Sequence, residues 1–241
     1  MLVGHHLLVD TSTRIEINMA VEAEFLKSIP YFSGLSLAEI DSISRLVFEK
    51  MAERGETILV EGEPGEALYI VVSGVAKVFK TSVDGKEQTL CIVRPGESFN
   101  DVSVFDGGPN LASVQALAPI TFYGIRRRDF QAILRNDPQV AMNAINVLTT
   151  HVRRLASLVE DLSFRHVIGR IAKILLENAI SDTNSGPRLT QQDIASMAGT
   201  AREVVGRSLK TLEEEGLIKL DRHRIVVANT KALKEMVEMP L

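Results

Sequence analysis

Between about Met51 and Arg126 the apolar residues come in short runs: ETILVEG, ALYIVVSGVAKVFKTS, QTLCIVR, SVQAL and ITFYGI. The segments EGEPGE, VDGK, RPGE and DGGPN separate them, and Asp84-Gly85 marks a hairpin. Evenly spaced strands with no helix between them predict a small antiparallel roll or barrel. Ahead of it, FLKSIPYFSGLSLAEIDSISRLV carries apolar residues at helical period, interrupted by Pro30 and Gly34, which predicts two short helices. Residues 1–20 have no clear assignment.

From about Pro138 the period becomes that of a long helix. Ala141, Leu148, Leu155 and Leu162 recur every seven residues, and Ile145, Val152 and Val159 occupy the second position of the same heptads. A lone helix with charged flanks cannot bury this stripe against the roll. A two-fold dimer buries it by self-pairing, through Ile145, Leu148, Val152, Leu155, Val159 and Leu162. A core helix of a monomer is the other reading.

The third segment begins near Phe164. VIGRIAKILLENAI predicts an amphipathic helix, and LTQQDIASMAG a second, with Thr190 as N-cap and Asp193 three residues on in a capping box. GTAREVVGRSLKTLEEEGLI then predicts a turn at Gly199, a third helix and a stop at Gly216, and IKLDRHRIVVAN predicts two short strands around a charged tip. This is a winged helix-turn-helix plan. The chain is expected to divide into an extension (1–20), a roll (21–137), a dimerisation helix (138–164) and a DNA-binding domain (165–241).

On the third helix, Val205, Leu209 and Leu212 fall at i, i+4 and i+7 and face inward, which leaves Arg202, Glu203 and Arg207 outward. Arginine can bond guanine O6 and N7 bidentately, and glutamate can accept from cytosine N4. Two other roles stay open. Glu203 and Arg207, four apart, can form a solvated ion pair, or Thr200 and Glu203 can form a capping box that keeps the acid off the bases. Gln191, Lys219, Arg222 and Arg224, with His223 at the wing tip, are candidates for contacts to the duplex, those of the tip to phosphates.

Charge supports this division. Residues 1–164 hold 15 Lys+Arg against 21 Asp+Glu, and residues 165–241 hold 12 against 10, so a polyanion meets the C-terminal part. One cysteine, Cys91, excludes an internal disulfide and a self-sufficient iron–sulfur site, and reads as a small residue of an apolar strand. No histidine lies between residues 7 and 150, so a metalloenzyme built on the roll has no ligands. An enzyme of another kind would need a nucleophile elbow or a Walker loop, and neither is present. With no run of about 18 to 20 apolar residues and no signal-peptide pattern at the start, the chain reads as cytoplasmic, without membrane attachment.

From about residue 21 onward the chain resembles the Crp/Fnr family of bacterial transcription regulators. The resemblance rests on GEPGEALYIVVSGVAKVFK, GESFNDVSVFDGGPNLASV, LVEDLSFRHVIGRIA and AREVVGRSLKTLEEEGLI. It implies an α+β architecture: a double-stranded β-roll of cyclic-nucleotide-binding type, a dimerisation helix and a winged helix-turn-helix. Its cyclic-AMP receptor branch carries R-E-x-x-x-R on the recognition helix, matched by Arg202, Glu203 and Arg207, and implies palindromes with TGTGA-like half-sites. RNA polymerase is an implied partner. Ala201 stands where that branch commonly has a serine near the backbone, which puts a phosphate contact in doubt.

The effector turn departs further. In nucleotide-binding relatives a Gly-Glu pair and a later Arg-Ser pair hold the ribose hydroxyl and the cyclic phosphate. Here Asn100 and Asp101 match the first pair, and Asn110 and Leu111 the second, within a pocket whose other candidates are Phe99, Val102 and Ala112. The Thr-Ser pair that contacts adenine matches Leu155 and Ala156. Loss of a charge-assisted bond of about 1.5 to 3 kcal/mol predicts nucleotide binding weakened at least about tenfold. No cofactor is expected and the effector is unknown. A constitutive regulator is one alternative. A haem sensor using His5, His6, His151 or His166 is another.

Overall fold

The computed structural model describes residues 23–181, 189–221 and 224–238. The calls on residues 1–20, His5, His6, Arg222 and His223 lie outside them.

Helix α1 (Ala23–Ser28), a 3-10 turn (Pro30–Phe32) and helix α2 (Leu37–Ser44) precede the strands. Ser36 caps α2 reciprocally with Glu39, so orphan donors at that end are satisfied. The roll consists of β1 (Val47–Ala52), β2 (Thr57–Leu59), β3 (Ala67–Ser73), β4 (Ala76–Thr81), β5 (Glu87–Val93), β6 (Ser98–Phe99), β7 (Ser113–Ala116) and β8 (Ile120–Arg126), with helix α3 (Asp101–Asp106) between β6 and β7. They form two four-stranded sheets, ordered β1-β8-β3-β6 and β2-β7-β4-β5, and every pairing is antiparallel.

The run ALYIVVSGVAKVFKTS thus supplies neighbouring strands of different sheets. It breaks at Gly74, whose φ is +83° and where a Cβ would come within 2.2 Å of the Pro119 carbonyl oxygen. Strand β3 is buried on both faces, which explains its unbroken apolar character. Tyr69 and Val71 join Phe99 and Phe122 between the sheets, while Leu68 and Ile70 face the helices beneath. Cys91 on β5 borders the inter-sheet cluster, and burial pushes its thiol up to about 11. At pH 8 it holds roughly two-hundredfold less thiolate than an ordinary cysteine near 8.5. Iodoacetamide alkylation of the native protein is expected to be slow at pH 8 and to accelerate up to about pH 11. A rate matching free cysteine at pH 8 would disprove this burial.

After β8 come α4 (Arg127–Asn136) and α5 (Pro138–Phe164), the latter 27 residues long and capped by the Asp137 carboxylate. Asn143 anchors α5 to the first helices by donating to the carbonyls of Tyr31 and Ser33 at 3.0 and 2.8 Å. Along the proposed seam, Ile145, Val152, Leu155, Val159 and Leu162 are exposed and Leu148 is half-buried. A monomer core helix would bury them, and this chain leaves most of the stripe uncovered.

The C-terminal unit contains α6 (Val167–Ser181), α7 (Gln191–Ala198), α8 (Arg202–Glu214), β9 (Ile218–Asp221), β10 (Arg224–Val227) and α9 (Thr230–Glu238). Ile171, Leu175, Ile194, Val205, Leu209, Leu212, Ile218 and Leu233 form its own core. Among the described residues no helix is long and apolar enough to cross a membrane.

Candidate nucleic-acid interface and effector pocket

Helix α7 begins with the capping box, in which the Thr190 hydroxyl accepts from the Asp193 amide and the Asp193 carboxylate accepts from the Thr190 amide. It ends at Gly199 (φ +63°), and the amide of Thr200 bonds back to the Ala195 carbonyl at 3.0 Å to close the turn. Helix α8 starts from Ala201, which offers no side-chain cap. The Thr200–Glu203 capping box is therefore not formed. Glu203 and Arg207 also lie beyond ion-pair distance, since neither is among the salt bridges of the described residues.

Val205, Leu209 and Leu212 are at most 1% exposed, so this face is fixed against the core and Arg202, Glu203 and Arg207 project to solvent. Gln191 of α7 reaches the same helix, its Oε1 lying 3.6 Å from where a Cβ on Gly206 would sit. Lys219 is exposed on β9, whose following residue, Leu220, donates its amide to Glu213 at 2.8 Å. Arg224 opens β10.

The unit is docked on the roll of the same chain. Thr89 of β5 and Ser196 of α7 share a buried hydroxyl bond of 2.9 Å, and Lys86 reaches the Gly199 carbonyl at 3.4 Å. A Cβ on Gly199 would meet Leu162 at 2.7 Å and Gln88 at 2.8 Å. Roll, long helix and helix-turn-helix thus converge on one turn.

The nine candidate residues of the effector pocket differ in burial. Phe99 is buried between the sheets and stacked on Tyr69, and Ala112 is also buried. Asn100 takes a left-handed conformation (φ 68°), donates to the Ala67 carbonyl and accepts from Ser103, so its amide is engaged locally. Val102 and Leu111 are exposed. Asn110 is 3% exposed and donates to the Val60 carbonyl at 3.0 Å, while its Oδ1 has no hydrogen-bond partner among the described residues. Leu155 and Ala156 are exposed on α5.

Asp101 is 4% exposed and turned inward. Its Oδ1 accepts from the Tyr31 hydroxyl and, at 2.7 Å, from Ser98, and its Oδ2 lies 3.9 Å from His151 Nδ1 on α5. Burial, reinforced by this carboxylate, raises the Tyr31 hydroxyl well above the ordinary phenol range. The acid thus joins the N-terminal helices, the turn and the long helix. Sequence reasoning missed Tyr31, 70 residues away, and named His151, 50 residues away, only as a haem candidate and not as a neighbour of Asp101. It also missed Arg127, whose guanidinium donates to the Gly107 carbonyl at 3.0 Å, and Arg154, which pairs with Glu97 at 2.5 Å.

Haem fits poorly on the described residues. His151 faces Asp101 and His166 is exposed beyond the end of α5, so they do not converge. No group of three or more metal-ligating side chains occurs among the described residues.

Comparison with known proteins agrees with this geometry. A cyclic nucleotide-binding domain model matches residues 49–137, and a Crp-like helix-turn-helix domain model matches residues 169–236. The chain is 32% identical to the cyclic AMP receptor protein of Thermus thermophilus over 88% of its own length and 98% of the relative's. It is 30% identical to the CRP-like cAMP-activated global transcriptional regulator of Mycobacterium tuberculosis, over 87% and 97%. Among solved structures, FixK2 from Bradyrhizobium japonicum aligns with a TM-score of 0.70 at 25% identity, covering 79% of this chain and 96% of that one. A Crp/Fnr-family regulator from Eubacterium rectale shares the fold with a TM-score of 0.76 at 22% identity, covering 88% and 100%. With a β-roll, a long helix and a helix-turn-helix DNA-binding unit in this order, the chain belongs to the Crp/Fnr family of transcription regulators.

Proposed function

We propose that the chain acts as a homodimer in the cytoplasm, reads a palindromic TGTGA-like site, engages RNA polymerase there and is not governed by cyclic AMP. The carrying observation is the free state of Arg202, Glu203 and Arg207. All three are exposed on one side of α8, and neither a cap nor an ion pair holds them. A solvated carboxylate set between two arginines suits a groove that offers a cytosine amino group beside guanine acceptors. The dimer is supported by the exposed apolar stripe of α5, which one chain leaves uncovered. A two-fold pair then presents two α8 helices to an inverted repeat.

Independence from cyclic AMP is supported by chemistry at the turn. Asn110 supplies no charge where a phosphate would need it, and Asp101 is engaged by Tyr31 and Ser98. The two relatives are named for cyclic AMP, yet these positions differ from the nucleotide-binding pattern. Fluorescence anisotropy with a labelled inverted repeat and a scrambled duplex of equal length provides the test. Binding to the repeat is expected to be tighter by at least about a hundredfold at physiological salt, and unchanged within about twofold on adding cyclic AMP. Equal affinity for the two duplexes would refute base reading. A large cyclic-AMP effect would refute the effector claim alone.

A further inference from the structure

Helix α8 runs out in three consecutive acids, Glu213, Glu214 and Glu215, all of them exposed. A carboxylate beside backbone phosphates opposes binding, so each acid on a DNA-binding unit calls for a local reason. Glu214 lies 3.7 Å from Lys210, four residues back. Glu215 closes the helix, its amide donating to the Thr211 carbonyl at 3.0 Å. Glu213 reaches out of the helix altogether. Its Oε1 accepts the amide of Leu220, seven residues on, at 2.8 Å.

That amide lies within β9, where Leu220 stands opposite Ile225 and Lys219 opposite Val226. It is spent on α8 and not on the partner strand, so Glu213 holds the outer edge of the hairpin. The base of the wing has anchors of its own. The Leu217 amide donates to the Leu212 carbonyl, the Leu217 carbonyl accepts from Ala228 and Asn229, and Ile218 is buried in the core of the unit. Beyond this base Lys219 and Leu220 are exposed. A two-stranded hairpin is marginal by itself, and a hydrogen bond to a charged acceptor is among the stronger means of fixing its direction. Glu213 follows Arg202 by eleven residues, about three turns and roughly 16 Å along the same side of α8. One helix thus carries a base-reading end and an end that grips the wing.

We propose that Glu213 is a positioning residue for the wing: by accepting the Leu220 amide it registers β9 against the reading helix and sets Lys219 on a backbone phosphate. The acid opposes DNA by its charge and favours it by its bond, and the bond is the larger effect. This rests on the assignment of α8 and the wing to DNA above.

Fluorescence anisotropy of the full chain over a salt series, with the inverted repeat and the scrambled duplex, separates the two effects. Glu213→Gln keeps an acceptor and removes the charge, so it should bind both duplexes at least as tightly as wild type. Glu213→Ala removes both. It should bind both duplexes about fivefold more weakly than the glutamine variant, with the salt slope lowered by about 0.9, one phosphate contact, and the ratio of repeat to scrambled affinity kept within about twofold. Against a Lys219→Ala background, the difference between the alanine and glutamine variants should vanish, because the contact that Glu213 positions is already gone. Equal affinity of the two Glu213 variants, or full additivity with Lys219→Ala, would overturn the proposal, and so would a loss confined to the repeat. Equal binding of repeat and scrambled duplex by wild type would overturn base reading alone, since the cycle is read on either duplex. Failure of wild type to bind either duplex would overturn both.

Discussion

Arg207→Ala is expected to weaken binding to the inverted repeat by roughly 5- to 150-fold per half-site, the loss of about 1 to 3 kcal/mol that follows removal of a bidentate arginine–guanine contact. The side chain is exposed and unpaired in the free protein, so thermal stability should be unchanged and the whole effect should appear in DNA affinity. Arg202→Ala should behave alike, with preference relaxed at a different base pair. Arg207→Lys keeps the charge but not the planar fork, and should recover affinity for scrambled DNA better than discrimination. Lys219→Ala should instead lower affinity for both duplexes to a similar extent and reduce the salt slope by about 0.9. Anisotropy over a salt series measures all four variants. Should Arg207→Ala match wild type on both duplexes, α8 does not read bases.

Leu155→Glu is expected to convert the proposed homodimer to a monomer at micromolar concentration. Leu155, 42% exposed in the single chain, sits in mid-seam between Val152 and Val159, which are 65% and 63% exposed. At a two-fold axis the substitution places like charges opposite each other in an apolar interface, where a desolvated, unpaired charge costs several kcal/mol. Independent half-site binding then replaces linked binding, and affinity for the full palindrome should fall by about a hundredfold or more. Sedimentation equilibrium reads the first effect and anisotropy the second. A variant that stays dimeric, or a wild type that sediments as a monomer, would remove α5 as the seam.

The parts legible in the sequence were those whose signal is local. The Thr190–Asp193 box, the left-handed turn at Gly199, the inward set on α8 and the Asp84-Gly85 hairpin all depend on residues a few positions apart. Strand β1 was obscured because VFEKMA holds good helix formers and lies at a sheet edge, where Glu49, Lys50 and Met51 remain exposed and no strict alternation is enforced. Helix α3 was concealed inside a turn-rich stretch, since six residues bounded by left-handed Asn100 and Gly107 show no periodicity. Helix α4 begins within a run of three arginines, Arg126 to Arg128, and reveals its inward face only through Phe130 and Ile133. The effector turn was legible in composition but not in connectivity. That Asp101 would turn toward Tyr31 and His151 depends on chain closure over 70 and 50 residues, which spacing cannot encode.

In the proposed homodimer, the close fit of Gly199 against Leu162 and Gln88 would tie the pitch of the paired helices to the distance between the two α8 helices. Half-sites lie about 34 to 36 Å apart along B-DNA, one helical turn, so a slight rotation at this turn is read out as an altered spacer rather than altered half-site letters. Gly199→Ala, which forces Leu162 and Gln88 apart, should therefore be rescued by operators with one base pair gained or lost at their centre. Within this family, operator spacing and the size of the residue at this turn would be inherited together.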